Sequence, residues 1–240
     1  MEQWEWRKTV MEFDGTEKTI GHGAQAEVLL YHGFAYKIYK PSYPAEWISF
    51  EIENQKTVNK AGLCPVKYYE TDDPHVVKMD YVEGEILEKF ISEDPAKYFA
   101  MLSQAFRQIH AADTSGIEIP SFLLTIETML TAEEKAKVLP TVERLFQKYK
   151  SVICHLDLHF LNIMLAPNKT DFTVIDWITA RLAPPVFDYA RTWVIFNEAS
   201  KEAVDFYMQT IWKDVQALGI SEADFYEAVE VSKIIRSHEK

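Results

Sequence analysis

Cysteine is scarce: the 240-residue chain holds two, Cys64 and Cys154, and neither has a second cysteine nearby. That excludes a disulfide framework and a Cys-x-x-Cys zinc site, leaving two reduced, partly buried thiols. Long apolar runs are missing too, since no uncharged stretch approaches the ~18–20 residues that span a bilayer. Met1–Lys8 lacks the basic start and apolar core of a secretory signal, so a cytoplasmic protein is expected. Basic residues are in deficit, 25 Lys and Arg against 37 Asp and Glu, for a net charge of −12. Such a field repels polyanions, so neither nucleic acid nor a membrane is expected as a partner, while a cationic ligand would gain from it. There is no collagen-like period, low-complexity tract or internal repeat.

What is present is a globular composition, 48% hydrophobic, enough for a sizeable core. The first third reads as strands. Thr19–Gly23 leads into Ala26–Tyr31, then a His32-Gly33 connection, then Phe34–Tyr39, the pattern of an antiparallel hairpin. A helix is expected over 45–60, closed by Gly62 and Pro65, and a further strand over 75–82. Beyond Gly84 the pattern turns helical. Phe99, Leu102, Phe106 and Ile109 recur at helical spacing, and similar patterns cover 122–131, 133–150, 187–198, 200–218 and 221–237. The stretch 151–183 differs, with short strand-like runs that enclose polar residues. The reading is an α+β chain of two lobes, 1–80 and 81–240, with a cleft between them and the link near Glu83-Gly84.

The strongest chemical signal lies at 153–165, where His155, Asp157, His159 and Asn162 are embedded among Leu, Phe, Ile and Met. Burying an acid there is costly unless it is hydrogen-bonded or meets a cation. Fourteen residues after Asn162, Asp176 sits in a similar setting, Thr173–Ile178. Two acids and a carboxamide presented from apolar strand ends form an oxygen-donor set suited to Mg²⁺. A second signal is Gly21-His22-Gly23-Ala24-Gln25, which joins two strands rather than a strand and a helix. Glycine there would let backbone N–H groups approach a phosphate, although a plain hairpin bend explains the pattern equally well. The third is Lys37, inside an apolar strand. Such a lysine ordinarily snorkels to water unless a carboxylate faces it, and the following helix offers Glu51 and Glu53, of which Glu51 is favoured.

In order, these are a glycine-rich hairpin loop, a strand lysine, a helix glutamate, a link, His-x-Asp-x-x-x-x-Asn and a later Asp. That order resembles the protein-kinase-like superfamily. In detail, His155-Leu156-Asp157-Leu158-His159-Phe160-Leu161-Asn162-Ile163-Met164 is similar to the His-Gly-Asp-Leu-His-Pro-Gly-Asn-Ile-Leu of the aminoglycoside phosphotransferase family, and Ile175-Asp176-Trp177 to its Ile-Asp-Trp. The resemblance covers about residues 19–194. Leu156 stands where that family has Gly and Phe160-Leu161 where it has Pro-Gly, so a slightly different loop backbone is expected.

The resemblance implies a protein-kinase-like fold, with a small lobe of antiparallel sheet plus helix and a larger, mainly helical one. It implies a Mg²⁺-dependent kinase that transfers the γ-phosphoryl of ATP, or of another nucleoside triphosphate, to a small-molecule hydroxyl: an aminoglycoside, another antibiotic, an amino alcohol or a sugar. Lys37 would hold the α- and β-phosphates, oriented by Glu51. Main-chain groups of Gly21, His22, Gly23, Ala24 and Gln25 would cover the triphosphate, and Met79, Asp80, Tyr81 and Val82 would face adenine. Asn162 and Asp176 would hold the metal. Asp157 would accept the attacking hydroxyl's proton, with His159 a donor near the γ-phosphate and His155 a brace. Two other readings stay open, a nucleotide-binding relative without turnover and an atypical protein kinase. Against the latter, Trp177-Ile178 rather than Phe-Gly follows Asp176, and His159 replaces the catalytic-loop lysine. Residues 187–240 hold ten acids against six bases together with many aromatics, most of them read as solvated face and core respectively. Asp188, after Pro184-Pro185, reads as a helix cap.

Overall fold

A computed structural model describes residues 13–239, so the stretch Met1–Lys8 lies outside the described residues. The chain divides after Glu83 into two compact units.

The first unit is a five-stranded antiparallel sheet in the order β1 (Lys18–His22), β2 (Ala26–Tyr31), β3 (Phe34–Tyr39), β5 (Val76–Asp80), β4 (Tyr68–Glu70). The β2–β3 connection is a two-residue turn in which His32 (φ 46°) and Gly33 (φ 81°) both take positive φ, the geometry whose twist matches the flanking strands. Strand alternation then sorts the side chains. Leu29, Tyr36, Ile38 and Val76 form one buried cluster, while Lys37 and Tyr39 alternate onto the other face and meet helix α1 (Ala45–Lys60). The helix buries Ile48, Glu51, Ile52, Gln55 and Val58, one stripe at helical spacing, and stops before Gly62 at φ 71°. Gln55 Nε2 ties it to the carbonyl of Val66 at 2.7 Å.

The second unit is mainly helical. Helix α2 (Pro95–His110) starts at an Asp94 cap with Pro95 in its first turn, and it buries the expected Phe99, Leu102, Phe106 and Ile109. Helices α3 (Phe122–Met129) and α4 (Ala132–Lys148) follow, separated by a Thr131–Glu134 capping box. A three-stranded sheet, β6 (Glu85–Ile86), β8 (Ile163–Leu165) and β9 (Phe172–Val174), and the pair β7 (Val152–Cys154) with β10 (Arg181–Ala183) carry the loop segments. Gly84 opens β6 at φ 146°, and a Cβ there would lie 2.3 Å from the Leu165 carbonyl oxygen, so only glycine fits. Helices α5 (Pro185–Ala199), α6 (Lys201–Ala217) and α7 (Glu222–Ser237) complete the unit. Both cysteines are buried thiols, and burial pushes the Cys154 thiol up, which keeps it protonated. Among the described residues no helix is long and apolar enough to cross a membrane.

Helix α7 is locked to α4 through Asp224. Its carboxylate is almost fully buried and accepts from Arg144 (2.6 Å), Lys148 (2.6 Å), Tyr149 (2.7 Å) and the capping Ser221. Burial pushes the Asp224 carboxyl up, but the four hydrogen bonds outweigh it and hold the group well below the usual carboxylate range. A depressed folded-state pKa stabilises the fold above the unfolded value and ceases to do so as pH falls through the folded one. Asp224→Ala is therefore expected to lower the unfolding free energy by about 1–3 kcal/mol at neutral pH. In urea titrations the gap between variant and parent should narrow as pH drops below about 4.

Candidate active site

Strand β7 delivers the chain to His155, and residues 155–162 loop from there to β8. Side chains from elsewhere, together with the loop's own His155, hold the first two peptide planes of this loop at both ends. In the 155–156 peptide, Thr179 Oγ1 donates to the His155 carbonyl (2.8 Å) and the Leu156 N–H donates to Asp188 Oδ1 (2.7 Å). In the 156–157 peptide, Arg191 Nε donates to the Leu156 carbonyl (2.9 Å) and the Asp157 N–H donates to His155 Nδ1 (3.3 Å). Asp188 Oδ2 also accepts the His155 N–H (3.1 Å) and faces His110 Nε2 at 2.8 Å. Leu156 sits at φ 63°, the left-handed region that glycine favours. A residue with a Cβ pays roughly 1–2 kcal/mol for that conformation, which the surrounding bonds hold in place. At this residue the backbone thus keeps a glycine-like turn despite the leucine.

Asp188 is therefore not a helix cap, as its position after two prolines suggests. Helix α5 begins from Pro184 without a side-chain cap, and the Asp188 carboxylate turns inward to the loop 32–33 residues earlier in the chain. Thr192 Oγ1 likewise reaches the Leu158 carbonyl at 2.7 Å. Arg191, Thr179 and Thr192 escape the sequence reading. The one available signal is Arg191, the single cation in a largely apolar helical run, which burial would force to find partners.

The loop presents three polar side chains together. Asn162 Nδ2 donates to the Asp157 carbonyl (2.8 Å) and to Asp157 Oδ2 (3.1 Å), while His159 Nε2 stands 3.5 Å from the same Oδ2. His159 Nδ1 accepts the Leu161 N–H, which assigns the ring proton to Nε2, on the Asp157 side. Burial pushes the Asp157 carboxyl up, but the hydrogen bond from His159, with smaller electrostatic contributions that include Arg191, brings it below its ordinary value. His155 is fully buried beside Trp177; burial lowers its pKa, and its Nε2 meets the Ile175 carbonyl at 3.0 Å. Phe160, in the place of the family's proline, packs its ring against Phe99 and Phe196 at 4.9 and 5.1 Å, whereas Leu161 is exposed.

Asp176 joins this group through the β8–β9 hairpin. Ile163 pairs with Val174, and the Ile175 N–H donates to the Asn162 carbonyl (3.0 Å), so Asn162 and Asp176 stand at the same end of the hairpin. Asp176 adopts φ 63°, and Trp177 anchors the turn by donating Nε1–H to the Val174 carbonyl at 3.0 Å. With its amide nitrogen committed to Asp157, Asn162 has its carbonyl oxygen to offer a cation, and Asp176 adds a carboxylate. These hard oxygen donors fit Mg²⁺. The other cluster of metal-type atoms among the described residues, His110, Cys154 and Asp188, lies within 4.8 Å. There the Asp188 oxygens already serve the loop and the thiol is protonated.

In the first unit Lys37 Nζ pairs with Glu51 Oε1 at 2.7 Å, and the Tyr39 hydroxyl donates to Glu51 Oε2. Glu53 pairs instead with Lys56, at 2.7 Å on the exposed side of α1. The loop at 23–25 is braced by Lys40, whose Nζ donates to the Ala24 carbonyl and whose N–H donates to Gln25 O at 2.9 Å. The Gly23 N–H turns inward to the Ala26 carbonyl (2.8 Å), so Gly23 gives the loop its bend, not an outward donor. Gly21 and Gly23 both lack positive φ, and a Cβ at either would meet only ordinary contacts at 3.4–3.5 Å. The hairpin itself does not demand glycine at these positions. Met79 is buried in β5, and the Asp80 carboxylate is taken by the Lys67 N–H and the Tyr69 hydroxyl, both at 3.0 Å. Tyr81 and Val82 lie beyond the end of β5, outside the sheet.

The model of the phosphotransferase enzyme family matches residues 16–212. No curated protein sequence matches the chain. Among solved structures it is similar to an aminoglycoside-3′-phosphotransferase of type VIII, with 18% identity, a TM-score of 0.65, and 90% of this chain and 91% of that one covered. It is also similar to choline kinase LicA from Streptococcus pneumoniae, with 17% identity, TM-score 0.63, and 93% and 83% covered. A third likeness is to the GDP and kanamycin complex of APH(2″)-IIia, with 15% identity, TM-score 0.59, and 94% and 84% covered. At these identities the likeness shows the fold, a protein-kinase-like α+β fold with an antiparallel-sheet unit followed by a helical one. As the family model spans most of its length, the chain belongs to the phosphotransferase enzyme family.

Proposed function

We propose that the protein is a small-molecule kinase that transfers the γ-phosphoryl group of ATP, or of another nucleoside triphosphate, to an alcohol. The observation that carries this reading is the joint presentation of Asp157, Asn162 and Asp176 around one hairpin end, with His159 Nε2 3.5 Å from the Asp157 carboxylate.

Each residue then has a task. Asp157, ionised and about a quarter exposed, accepts the hydrogen bond of the attacking hydroxyl and takes its proton as the new O–P bond forms. His159, whose ring proton on Nε2 lies at a loose 3.5 Å from Asp157, would share that N–H with the γ-phosphate when nucleotide is bound. Asn162 and Asp176 would hold Mg²⁺, which supplies charge neutralisation on the phosphate oxygens. Lys37 draws the α- and β-phosphates, and Glu51 holds the ammonium in place. Outward main-chain groups of the 21–25 loop cover the triphosphate, and main-chain atoms near Met79, Asp80, Tyr81 and Val82 receive the base. The transition state is loose, so positioning and charge dominate over covalent chemistry. The acceptor is an aminoglycoside or other antibiotic, an amino alcohol or a sugar. The kanamycin complex and the choline kinase among similar structures support that range. The excess of acids, net −12, favours an amine-bearing acceptor over an anionic polymer. The cytoplasm, where triphosphate and magnesium are at hand, is the compartment this reading assigns.

The test is a thermal-shift titration with Mg-ATP and Mg-GTP, followed by a coupled nucleotide-consumption screen over amino sugars, macrolides, choline and simple sugars. Asp157→Asn should cut turnover by about 10²–10⁴-fold and leave nucleotide binding largely intact. Asp176→Ala should also abolish the magnesium-dependent part of nucleotide binding. Near-parental turnover in Asp157→Asn, or nucleotide binding without consumption on any acceptor, would refute the reading. Lys37→Met should weaken nucleotide binding and also leave Glu51, 2% exposed, without its cation. Chemical denaturation should register that as a loss of roughly 3 kcal/mol. Lys37→Met/Glu51→Leu should recover part of the stability and none of the nucleotide affinity.

A further inference from the structure

Arg191 has more contacts than its place in an apolar helix requires. Its side chain is 2% exposed, its Nε donates to the Leu156 carbonyl at 2.9 Å, and its Nη2 meets both carboxylate oxygens of Glu239 at 2.7 and 2.9 Å. Glu239 lies just beyond α7 and also accepts from Arg236 at 3.2 Å, and Arg236 in turn faces Glu198 at 3.3 Å. A buried guanidinium is tolerated only when paired, and Glu239 is its carboxylate partner. The peptide that Arg191 grips is the one that joins Leu156 to Asp157, and its other end is fixed by His155 Nδ1. Asp188, one helical turn earlier on α5, grips the N–H of the same Leu156. Two residues of one helix thus clamp both sides of a residue in left-handed conformation, immediately before the proposed base. A guanidinium can do this because its planar fork serves a carbonyl and a carboxylate at once, which a lysine ammonium cannot match.

We propose that Arg191, with Glu239 as its counter-ion, is a positioning residue that sets the Leu156–Asp157 peptide plane and thereby the direction of the Asp157 carboxylate. The inference rests on the phosphotransferase reading, because only a reacting carboxylate needs such aim.

The test compares Arg191→Met, Arg191→Lys, Glu239→Gln and the Arg191→Met/Glu239→Gln double variant. Glu239 is partly exposed and outside the proposed reacting groups, so its variant keeps the test open if Arg191→Met folds poorly. Misdirecting a reacting group by about 1 Å costs up to ~10²-fold. kcat should fall about 30–100-fold in Arg191→Met and roughly 3–10-fold in Glu239→Gln, with the KM for nucleotide within about twofold of the parent. Arg191→Lys should recover part of the loss. Because the two residues act through one contact, the double variant should be no slower than Arg191→Met alone. A readout free of turnover is the Asp157 amide resonance in a ¹H–¹⁵N spectrum, which should move in all four variants while those of Gly21 and Gly23 stay. Unchanged kcat per folded molecule, additive losses in the double variant, or a stationary Asp157 resonance would each overturn the proposal. If the parent consumes no triphosphate with any acceptor while the resonance moves as expected, the kinase reading fails and the mechanical link from Glu239 to Asp157 stands.

Discussion

A fully buried carboxylate organises the second unit. Asp188 is fully buried, where an unsatisfied acid would cost several kcal/mol, and three donors satisfy it: the N–H groups of His155 and Leu156 and the ring of His110. Its position in the first turn of α5 adds the favourable end of the helix dipole. Loop, helix α2 and helix α5 are thereby tied to one point. Everything downstream inherits that constraint: the left-handed Leu156, the direction in which Asp157 leaves the loop, and the hydrogen bond by which Asn162 meets Asp157. If the Asp188 carboxylate were lost, two buried amides and a buried imidazole would need new partners at once.

The first unit solves the same physical problem with the opposite charge. Lys37 occupies a sheet position that faces α1, where an ammonium is expensive, and Glu51 of that helix comes to 2.7 Å with Tyr39 on its second oxygen. The pair costs desolvation and earns its keep by fixing the helix against the sheet in one register. Sheet alternation puts Lys37 on that face, while the stripe of Ile48, Ile52, Gln55 and Val58 turns Glu51 toward it and Glu53 outward.

Such periodicities explain what could be read from residues alone. The hairpin around His32-Gly33, helix α1, the buried face of α2 and the run of carboxy-terminal helices all follow from local spacing, and each lies within a few residues of its expected bounds. Strand β4 has no such signal, because three residues at a sheet edge with polar flanks leave no alternation to detect. The polar pattern His155, Asp157, His159, Asn162 and Asp176 was legible because acids and amides embedded in apolar runs demand an explanation. What holds that pattern was not. The partners of the loop lie 24–35 residues away at Thr179, Asp188 and Arg191, and Asp188 after two prolines imitates a cap so well that local chemistry misassigns it. Contacts across such distances are set by packing, to which a linear pattern is blind.

The same observation accounts for the departures from the family's loop sequence. A glycine and a Pro-Gly pair can shape a loop from within, by supplying a left-handed residue and a rigid bend. Here much of the shape is imposed from outside. Thr179, Asp188 and Arg191, with the loop's own His155, fix two successive peptide planes, and the ring of Phe160 seats the following turn between Phe99 and Phe196. A leucine can then be held at φ 63° and a phenylalanine can stand where a proline would, because the geometry resides in the hydrogen bonds around the loop. In this chain Thr179, Asp188 and Arg191 carry the constraint from outside the loop, and the residues that line the loop are free to vary only while those holders remain.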